Sequence, residues 1–226
     1  MGTLVLKVAL APMLVVAVTL AARRWGPRVG GMLIALPVVA GPILLVIALE
    51  HGEAFGARVA RGVLLGVVAL SAFCVVFAAA ASARMRWPAV LLLGWAAYAG
   101  VAAAGSRWDA PPLAGFAISL AALLLARALF RGDDQTQARS PSRPPWDLYA
   151  RAGSTAALVI VLTTAAGALG PAVSGVLTPF PVAASVLGAF TLAHNGPVAS
   201  RALLRGFVAA LPGFAAFFFI VAVALG

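Results

Sequence analysis

Two prolines of this chain are the strongest candidates for chemistry, because each interrupts a long apolar segment. Pro37 and Pro181 lie about 144 residues apart, a separation that an internal repeat would produce. A proline inside a helix removes one backbone hydrogen bond, and in lipid the freed carbonyl must face protein or a water-filled cavity. Such carbonyls, with the ends of two half-helices, could bind a substrate near the middle of a membrane. The alternative is a plain kink that neighbouring helices repair.

A further proline accompanies this pair in each segment, and the second segment also carries hydroxyl groups. They add polar atoms and further missing backbone donors to segments that are otherwise apolar. The residues that we predict to bind substrate are Pro37, Pro42, Ser174, Thr178, Pro179 and Pro181.

A second group of polar residues lies where the matched segments end and the next ones begin. Glutamate and histidine could serve a proton-coupled step, as they do in proton relays of other transporters, or could be water-facing cap residues. Matched arginines could attract an anion or a lipid phosphate, or could simply extend to the head groups. The residues predicted to act in gating or in ion or proton coupling are Glu50, His51, Arg61, His194, Asn195 and Arg205.

Metal and enzyme chemistry are not predicted. Two histidines and one cysteine, Cys74, lie on separate segments and do not form a ligand set. The sequence has no nucleophile elbow, no His-Glu-x-x-His and no phosphate-binding glycine loop. We therefore expect no catalytic residue, no metal and no cofactor. Without a nucleotide motif, any coupling would come from an ion or proton gradient.

The composition places these residues in a membrane. Of the 226 residues 63% are apolar and 10% are charged, against roughly 45–50% and 25% in soluble domains. Apolar segments of about 20 residues recur along the chain, and each is long enough to cross a bilayer. The predicted fold class is an all-α polytopic membrane protein. The net charge of +10 resides in short loops, which is typical of the positive-inside rule, so no nucleic-acid partner is predicted.

Eight transmembrane helices are predicted, with short loops and one hydrophilic segment between them. The predicted spans are 3–22, 29–49, 59–81, 88–104, 111–130, 152–169, 173–193 and 203–225. The corresponding organisation is a first repeat (1–82), spans 4 and 5 (83–130), a flexible cytoplasmic linker (131–148) and a second repeat (149–226). The odd-numbered loops carry most of the arginines, which predicts that they are cytoplasmic and that both termini lie outside the bacterial cytoplasmic membrane.

Spans 1–3 and spans 6–8 are predicted to be copies that insert in opposite directions. Gly26 to Gly62 aligns with Gly170 to Gly206 without a gap, and both stretches open on Gly-Pro and close on Arg-Gly. Five crossings separate span 2 from span 7, and this odd number reverses the second copy. Inverted three-helix repeats with interrupted helices occur in several transporter folds. The alternative is a chance recurrence of Gly and Pro in a low-complexity apolar sequence.

The second copy resembles the GlpM-type small inner-membrane proteins. The resemblance lies in Gly175-Val176-Leu177-Thr178-Pro179-Phe180-Pro181, with Leu192-Ala193-His194, Leu204-Arg205-Gly206 and Leu211-Pro212 further on. The first copy departs from this pattern at Ala35 and Leu36. The resemblance implies a fold of about four spans more than an activity. It suggests that a single-copy ancestor paired antiparallel with itself, and that span 5 was inserted when the two copies were fused.

These observations favour a secondary transporter or lipid-substrate translocator that works by alternating access around spans 2 and 7. The scarcity of charge within the spans favours a weakly polar, amphiphilic or singly anionic substrate. The alternative is a non-transporting accessory or scaffold protein of the inner membrane. The expected partners are membrane lipids and a small-molecule or lipid substrate, and a homo-oligomer is compatible with the sequence.

Overall fold

Every regular element that the structure describes is a helix. The computed structural model describes residues 2–37, 41, 44, 48–49, 52–108, 110–130, 146–169 and 180–226, with only the backbone described for 2–10, 163 and 165–169. The helices are α1 (Gly2–Trp25), α2 (Pro27–Ile34), α3 (Glu53–Ser82), α4 (Trp87–Gly105), α5 (Pro112–Leu129), α6 (Asp147–Leu169) and α7 (Val182–Ala224). Residues 41, 44, 48 and 49 are also helical.

Four of these helices are long and apolar enough to cross a membrane: α3, α4, α5 and α7. Large apolar side chains project outward from α4 and α5, including Leu92, Leu113 and Leu124, which are more than 60% exposed. Exposed apolar surface of this extent is disfavoured in water and is expected on helices that contact lipid. The all-helical fold is therefore consistent with a membrane protein.

Helix α3 is the centre of the bundle. Its most apolar stretch is 67% buried, against 17% in α4 and 22% in α5. Phe73 and Phe77 are fully buried, and their rings pack against Gly94 of α4 and Gly188 of α7. A Cβ atom on Gly94 would collide with the ring of Phe73, and one on Gly188 would lie tightly against the ring of Phe77. On another side of α3, Ser119 of α5 donates a hydrogen bond to the carbonyl of Leu64 at 2.6 Å. This scaffold fixes α4, α5 and α7 around α3.

Three glycines mark the sharpest changes of direction between helices. Gly26 (φ 92°, ψ 163°) precedes α2, and Gly52 (φ 88°, ψ 159°) precedes α3. Gly196 (φ 79°, ψ −180°) interrupts α7. Only glycine adopts this combination of positive φ and extended ψ at low cost. At Gly26 and Gly196 the absence of a side chain thus allows one helix to end and the next to begin without a loop.

Helix α7 is a hairpin of two helices rather than one long rod. Ser200 donates a hydrogen bond to the carbonyl of Gly188 at 3.3 Å. Twelve residues of a straight helix span about 18 Å, so the chain must fold back between these two residues. The bend is at Gly196, which separates a first half (182–195) from a second half (197–224).

Contacts between helix ends show how the helices are directed. The end of α1 meets the start of α6, where Arg23 binds Asp147. The end of α3 meets the second half of α7, where Arg201 donates to Ser82 at 3.1 Å. Within each of these two pairs the helices therefore run antiparallel. We call this the arginine end of the bundle: the end of α1, the α3–α4 turn, the start of α6 and the bend of α7.

The opposite end of the bundle is closed by small residues. Gly56, at the start of α3, lies against Ala48 and against Leu225, at the end of α7. A Cβ atom on Gly56 would collide with the Cβ atom of Ala48, at 2.9 Å, and would lie 3.2 Å from Cδ1 of Leu225. The antiparallel arrangement of α3 and the second half of α7 therefore holds along their whole length.

Helix α2 crosses the second half of α7 with the two backbones in direct contact. A Cβ atom on Gly31 would overlap the carbonyl of Leu203, and one on Gly206 would overlap the carbonyl of Arg28. Small residues at such crossings let helix backbones approach closely, as in other membrane helix pairs. Gly206 belongs to the Arg-Gly pair that closes the second repeat copy. The structure gives this glycine a packing role.

Several predicted boundaries are corrected by the structure. Helix α6 begins at Asp147, not at 152, and so it includes two residues of the predicted linker 131–148. Residues 131–145 of that linker lie outside the described residues. The last helical segment begins directly after Gly196 rather than at 203, since the helix continues through Pro197. Within span 2, predicted over 29–49 with a break at its prolines, the first helix ends at Ile34.

Candidate functional site

The two matched prolines each precede a helix. Helix α2 ends at Ile34, and Pro37 lies in the turn that follows. The carbonyl of Pro37 accepts a hydrogen bond from the amide of Gly41 at 2.9 Å, and the carbonyl of Pro181 accepts one from the amide of Ser185 at 2.8 Å. These bonds join the same two matched positions in both copies. Pro181 therefore precedes α7 rather than lying within it.

The backbone at Pro181 forms a tight turn. Pro181 has φ −77° and ψ 58°, and the amide of Val182 donates to the carbonyl of Phe180 at 2.8 Å. This geometry is that of an inverse γ-turn, which the fixed φ of proline favours. The turn ends in the first residue of α7, so the helix starts abruptly. The first amides of α7 consequently lie beside Phe180 and Pro181.

Two aromatic side chains of α4 contact Phe180, next to the turn at Pro181. The ring centroids of Trp95 and Tyr98 lie 5.5 and 5.4 Å from that of Phe180. The indole N–H of Trp95 donates to the hydroxyl of Ser185 at 2.9 Å. Tyr98 is completely buried. Three aromatic rings and one hydroxyl thus surround the start of α7, a mixture of apolar and polar atoms that suits an amphiphilic ligand.

A buried carboxylate lies at the arginine end. Asp147 has no exposed surface, and Arg151, one turn later in α6, is 1% exposed. The Nε of Arg151 donates to both carboxylate oxygens, at 3.0 and 3.1 Å, and Nη2 of Arg23 donates to Oδ2 at 2.9 Å. Burying charges costs several kcal/mol each unless they are paired, so the three side chains stabilise one another. This cluster joins α1 to α6.

His194 of α7 completes the cluster from the other side. Its Nδ1 lies 3.9 Å from Oδ1 of Asp147 and 3.0 Å from the carbonyl of Phe190. The imidazole stacks on the ring of Phe190, at 5.9 Å between centroids, and the guanidinium of Arg151 lies 5.1 Å above the same ring. Trp146 contacts the imidazole edge-on. The first half of α7 therefore packs against the start of α6 through Phe190 and His194, beside the carboxylate of Asp147.

The structure places two of the predicted site residues, Pro181 and His194, at opposite ends of the first half of α7. Pro181 is at the start of the first half of α7 and His194 near its end, about 20 Å apart by helix rise. Asn195, Arg61 and Arg205 are half-buried in α7, α3 and α7, respectively. Within the described part of the chain, no group of three or more potential metal ligands occurs. Six predicted residues lie outside the described residues: Pro42, Glu50, His51, Ser174, Thr178 and Pro179.

Sequence reasoning missed Asp147 as a site residue and counted Arg151 as a loop cation. The signal was present, because Asp147 and Arg151 have the i, i+4 spacing at which opposite charges meet on a helix. It would have extended the sixth span by five residues toward its N-terminus. Trp95 and Tyr98 were recognisable as aromatic residues inside a span, away from the interfaces, but nothing local indicated that they would meet Phe180.

Comparisons with protein-family models, with curated proteins and with solved structures find no match to this chain.

Proposed function

We propose that the chain is a secondary transporter or lipid-substrate translocator of the bacterial cytoplasmic membrane. It has eight spans, in two inverted three-helix repeats, and both termini lie outside. Substrate would bind between the breaks of spans 2 and 7 and would be reached from each side of the membrane in turn. The proposal assigns binding and gating roles to the chain, and no catalytic role.

The single observation that carries the proposal is the shared backbone chemistry of the two prolines. Pro37 and Pro181 accept the same hydrogen bond from the amide four residues further on, and Pro181 is the residue before α7. The glycines that follow, Gly52 and Gly196, share one glycine-only conformation. Two copies that agree in both features are hard to explain by chance recurrence of Pro and Gly. Paired discontinuous helices are where transporters with such repeats bind their substrates.

The directions of the helices support the inversion. Helices α1 and α6 occupy matched positions in the two copies, as do α3 and the second half of α7. Each pair runs antiparallel, as the contacts of Arg23 with Asp147 and of Arg201 with Ser82 indicate. Copies that inserted in the same direction would give parallel pairs. A pseudo-twofold axis in the membrane plane is the arrangement that relates such copies.

The described conformation is closed at the arginine end. Asp147 joins α1 to α6 there through Arg23 and Arg151, and the first half of α7 packs against this group through Phe190 and His194. In an alternating-access cycle, this end would open when α7 separates from α1 and α6. A buried ion-pair cluster is suited to this role, because water that enters on opening solvates the separated charges. The substrate would be weakly polar, amphiphilic or singly anionic, in keeping with the aromatic lining around Phe180.

Substitution of the two prolines tests the proposal. A thermal-stability screen of amphiphilic amines, carboxylates and short-chain lipids first identifies a ligand, and its uptake is then measured in proteoliposomes with an imposed proton gradient. We expect P37A and P181A each to lower uptake by at least about tenfold, the effect of raising a barrier by about 1.4 kcal/mol, because the half-helices lose their fixed starting points.

The matched control is P88A, in the first turn of α4, where the proline caps a helix away from both breaks. It should transport at the wild-type rate. Unchanged uptake in both P37A and P181A would refute a site at the breaks. A broad screen that finds no stabilising ligand would favour the scaffold alternative.

A further inference from the structure

We propose that a groove at the arginine end binds one anionic phospholipid, with the phosphate at Arg84 and the acyl chains along the apolar wall. The groove has a volume of about 380 Å³. We call it the lipid groove. It is lined by Ala81, Arg84, Met85, Trp87, Leu192, Ala193 and Pro197.

The lining of the lipid groove is amphipathic. Five of its seven residues are apolar and small or flexible, one is tryptophan, and the only charged one is Arg84. Its volume falls in the range of ligand sites, roughly 300–1,000 Å³. A soluble anion would leave the apolar wall without a partner, and a plain hydrocarbon would leave the guanidinium without one. A phospholipid satisfies both parts.

The position of the groove matches the level of lipid head groups. It lies between the α3–α4 turn and the bend of α7, where helices end. Trp87, at the start of α4, is 49% exposed, and tryptophan at a helix end is typical of the membrane interface. Basic pockets between transmembrane helices at this level are known sites for anionic lipid head groups.

The charge near the groove is complementary to a phosphate. Among the described residues only Glu53 and Asp147 are acidic. Glu53 lies at the opposite end of the bundle, at the start of α3, and Asp147 is enclosed by Arg23 and Arg151. No described carboxylate therefore neutralises Arg84. A guanidinium recognises phosphate oxygens through two parallel hydrogen bonds, which gives geometric selectivity as well as attraction.

The turn that carries Arg84 is built in an unusual way. Arg84 has φ 56°, the only positive φ of a non-glycine residue in the described ranges. The amide of Met85 donates to the carbonyl of Ala80 at 3.3 Å, which closes a Schellman-type end to α3. Glycine usually occupies this left-handed position, and another residue there is strained. The strain is explained if the guanidinium is needed at the mouth of the groove.

Lipid titration with two variants and a control tests the proposal. Purified protein in detergent is titrated with phosphatidylglycerol or phosphatidylcholine, and bound lipids are counted by native mass spectrometry. The wild type should bind one phosphatidylglycerol in preference to phosphatidylcholine. R84N should weaken that binding about five- to tenfold, because asparagine tolerates the left-handed backbone but lacks the charge. A193F should also weaken it, because the new ring fills the groove while Arg84 remains.

The control is R24Q, which removes an exposed arginine at the same end but outside the groove. It should retain the wild-type preference. Equal losses in R24Q and R84N would indicate general surface attraction and overturn the proposal, as would wild-type binding by both R84N and A193F. Displacement of the lipid by excess inorganic phosphate would assign the groove to a free anion and would also overturn it.

Discussion

Replacement of Asp147 by Asn should lower the free energy of unfolding by about 3–5 kcal/mol, the usual cost of removing one partner from a buried ion pair. Asp147 and Arg151 are both essentially without exposed surface. The amide of Asn keeps the shape of the carboxylate but leaves the guanidinium of Arg151 as an uncompensated buried charge. In a chain of this length the loss corresponds to a midpoint lower by roughly 6–20 °C. Thermal unfolding of the purified protein in detergent measures it.

Two further variants distinguish the effect of the buried charge from a general loss of stability. E53Q removes an exposed carboxylate at the opposite end and should change stability by less than about 0.5 kcal/mol. The double variant D147L/R151M replaces the pair by apolar residues and should recover most of the loss, since whole buried pairs are often replaced at little cost. Arg23 is 28% exposed and can reach water in that variant. If D147N unfolds at the same temperature as E53Q, the cluster does not hold the arginine end together.

Replacement of Gly206 by Ala should lower the stability by about 3 kcal/mol or more, at the upper end of overpacking effects. The added Cβ atom would overlap the carbonyl of Arg28 in α2. Because the obstructing atoms belong to the backbone, no side-chain rotation relieves the overlap, and α2 must separate from α7. G31A meets the carbonyl of Leu203 at the same crossing and should behave alike. Denaturant titration of the purified variants in detergent provides the comparison.

The matched control is G213A, seven residues further along α7. No atom lies within 4 Å of a Cβ atom placed on Gly213, and alanine is favoured over glycine in a helix by up to about 1 kcal/mol. G213A should therefore be as stable as the wild type or more so. The double variant G31A/G206A should lose less than the sum of the single losses, because one separation relieves both overlaps. Wild-type stability in G206A would show that α2 and α7 are not in backbone contact.

The positions of the helix breaks could be predicted from the sequence because they depend on local backbone chemistry. Proline and glycine change the accessible backbone angles wherever they occur. The interruption of span 2 near Pro37 and the bend at Gly196 were therefore visible without tertiary information. The prediction of a membrane protein came from composition alone. The structure agrees with it, because four described helices are long and apolar enough to cross a membrane.

The exact role of the prolines and the buried carboxylate could not be predicted in the same way. Whether a proline kinks a helix or caps one depends on where the neighbouring helix ends, and this is decided by packing. Asp147 follows a polar segment and resembles a solvated linker residue in sequence. Its burial depends on Arg23 and His194, which are distant in the chain. The contact of Trp95 with Phe180 likewise joins α4 to a segment 85 residues away in the sequence.

The proposed alternating-access mechanism requires that the two copies be inserted in opposite directions. The antiparallel pairing of α1 with α6 supports this, and so does the pairing of α3 with the second half of α7. Two half-helices that begin at matched prolines can form one central site only if the copies face each other in this way. The gating role that we propose for the Asp147 cluster depends on the same geometry.

Reporter fusions that are active on only one side of the membrane test this claim most directly. The reporter is placed in turn at Gly52, at Gln135 and after Gly226. We expect the reporters at Gly52 and after Gly226 to lie outside the membrane and the reporter at Gln135 to lie inside. A C-terminus that reports the same side as Gln135 would mean an even number of crossings after the linker, instead of the three that spans 6–8 require. The two copies would then not be inverted, and the proposed alternating-access site would be contradicted.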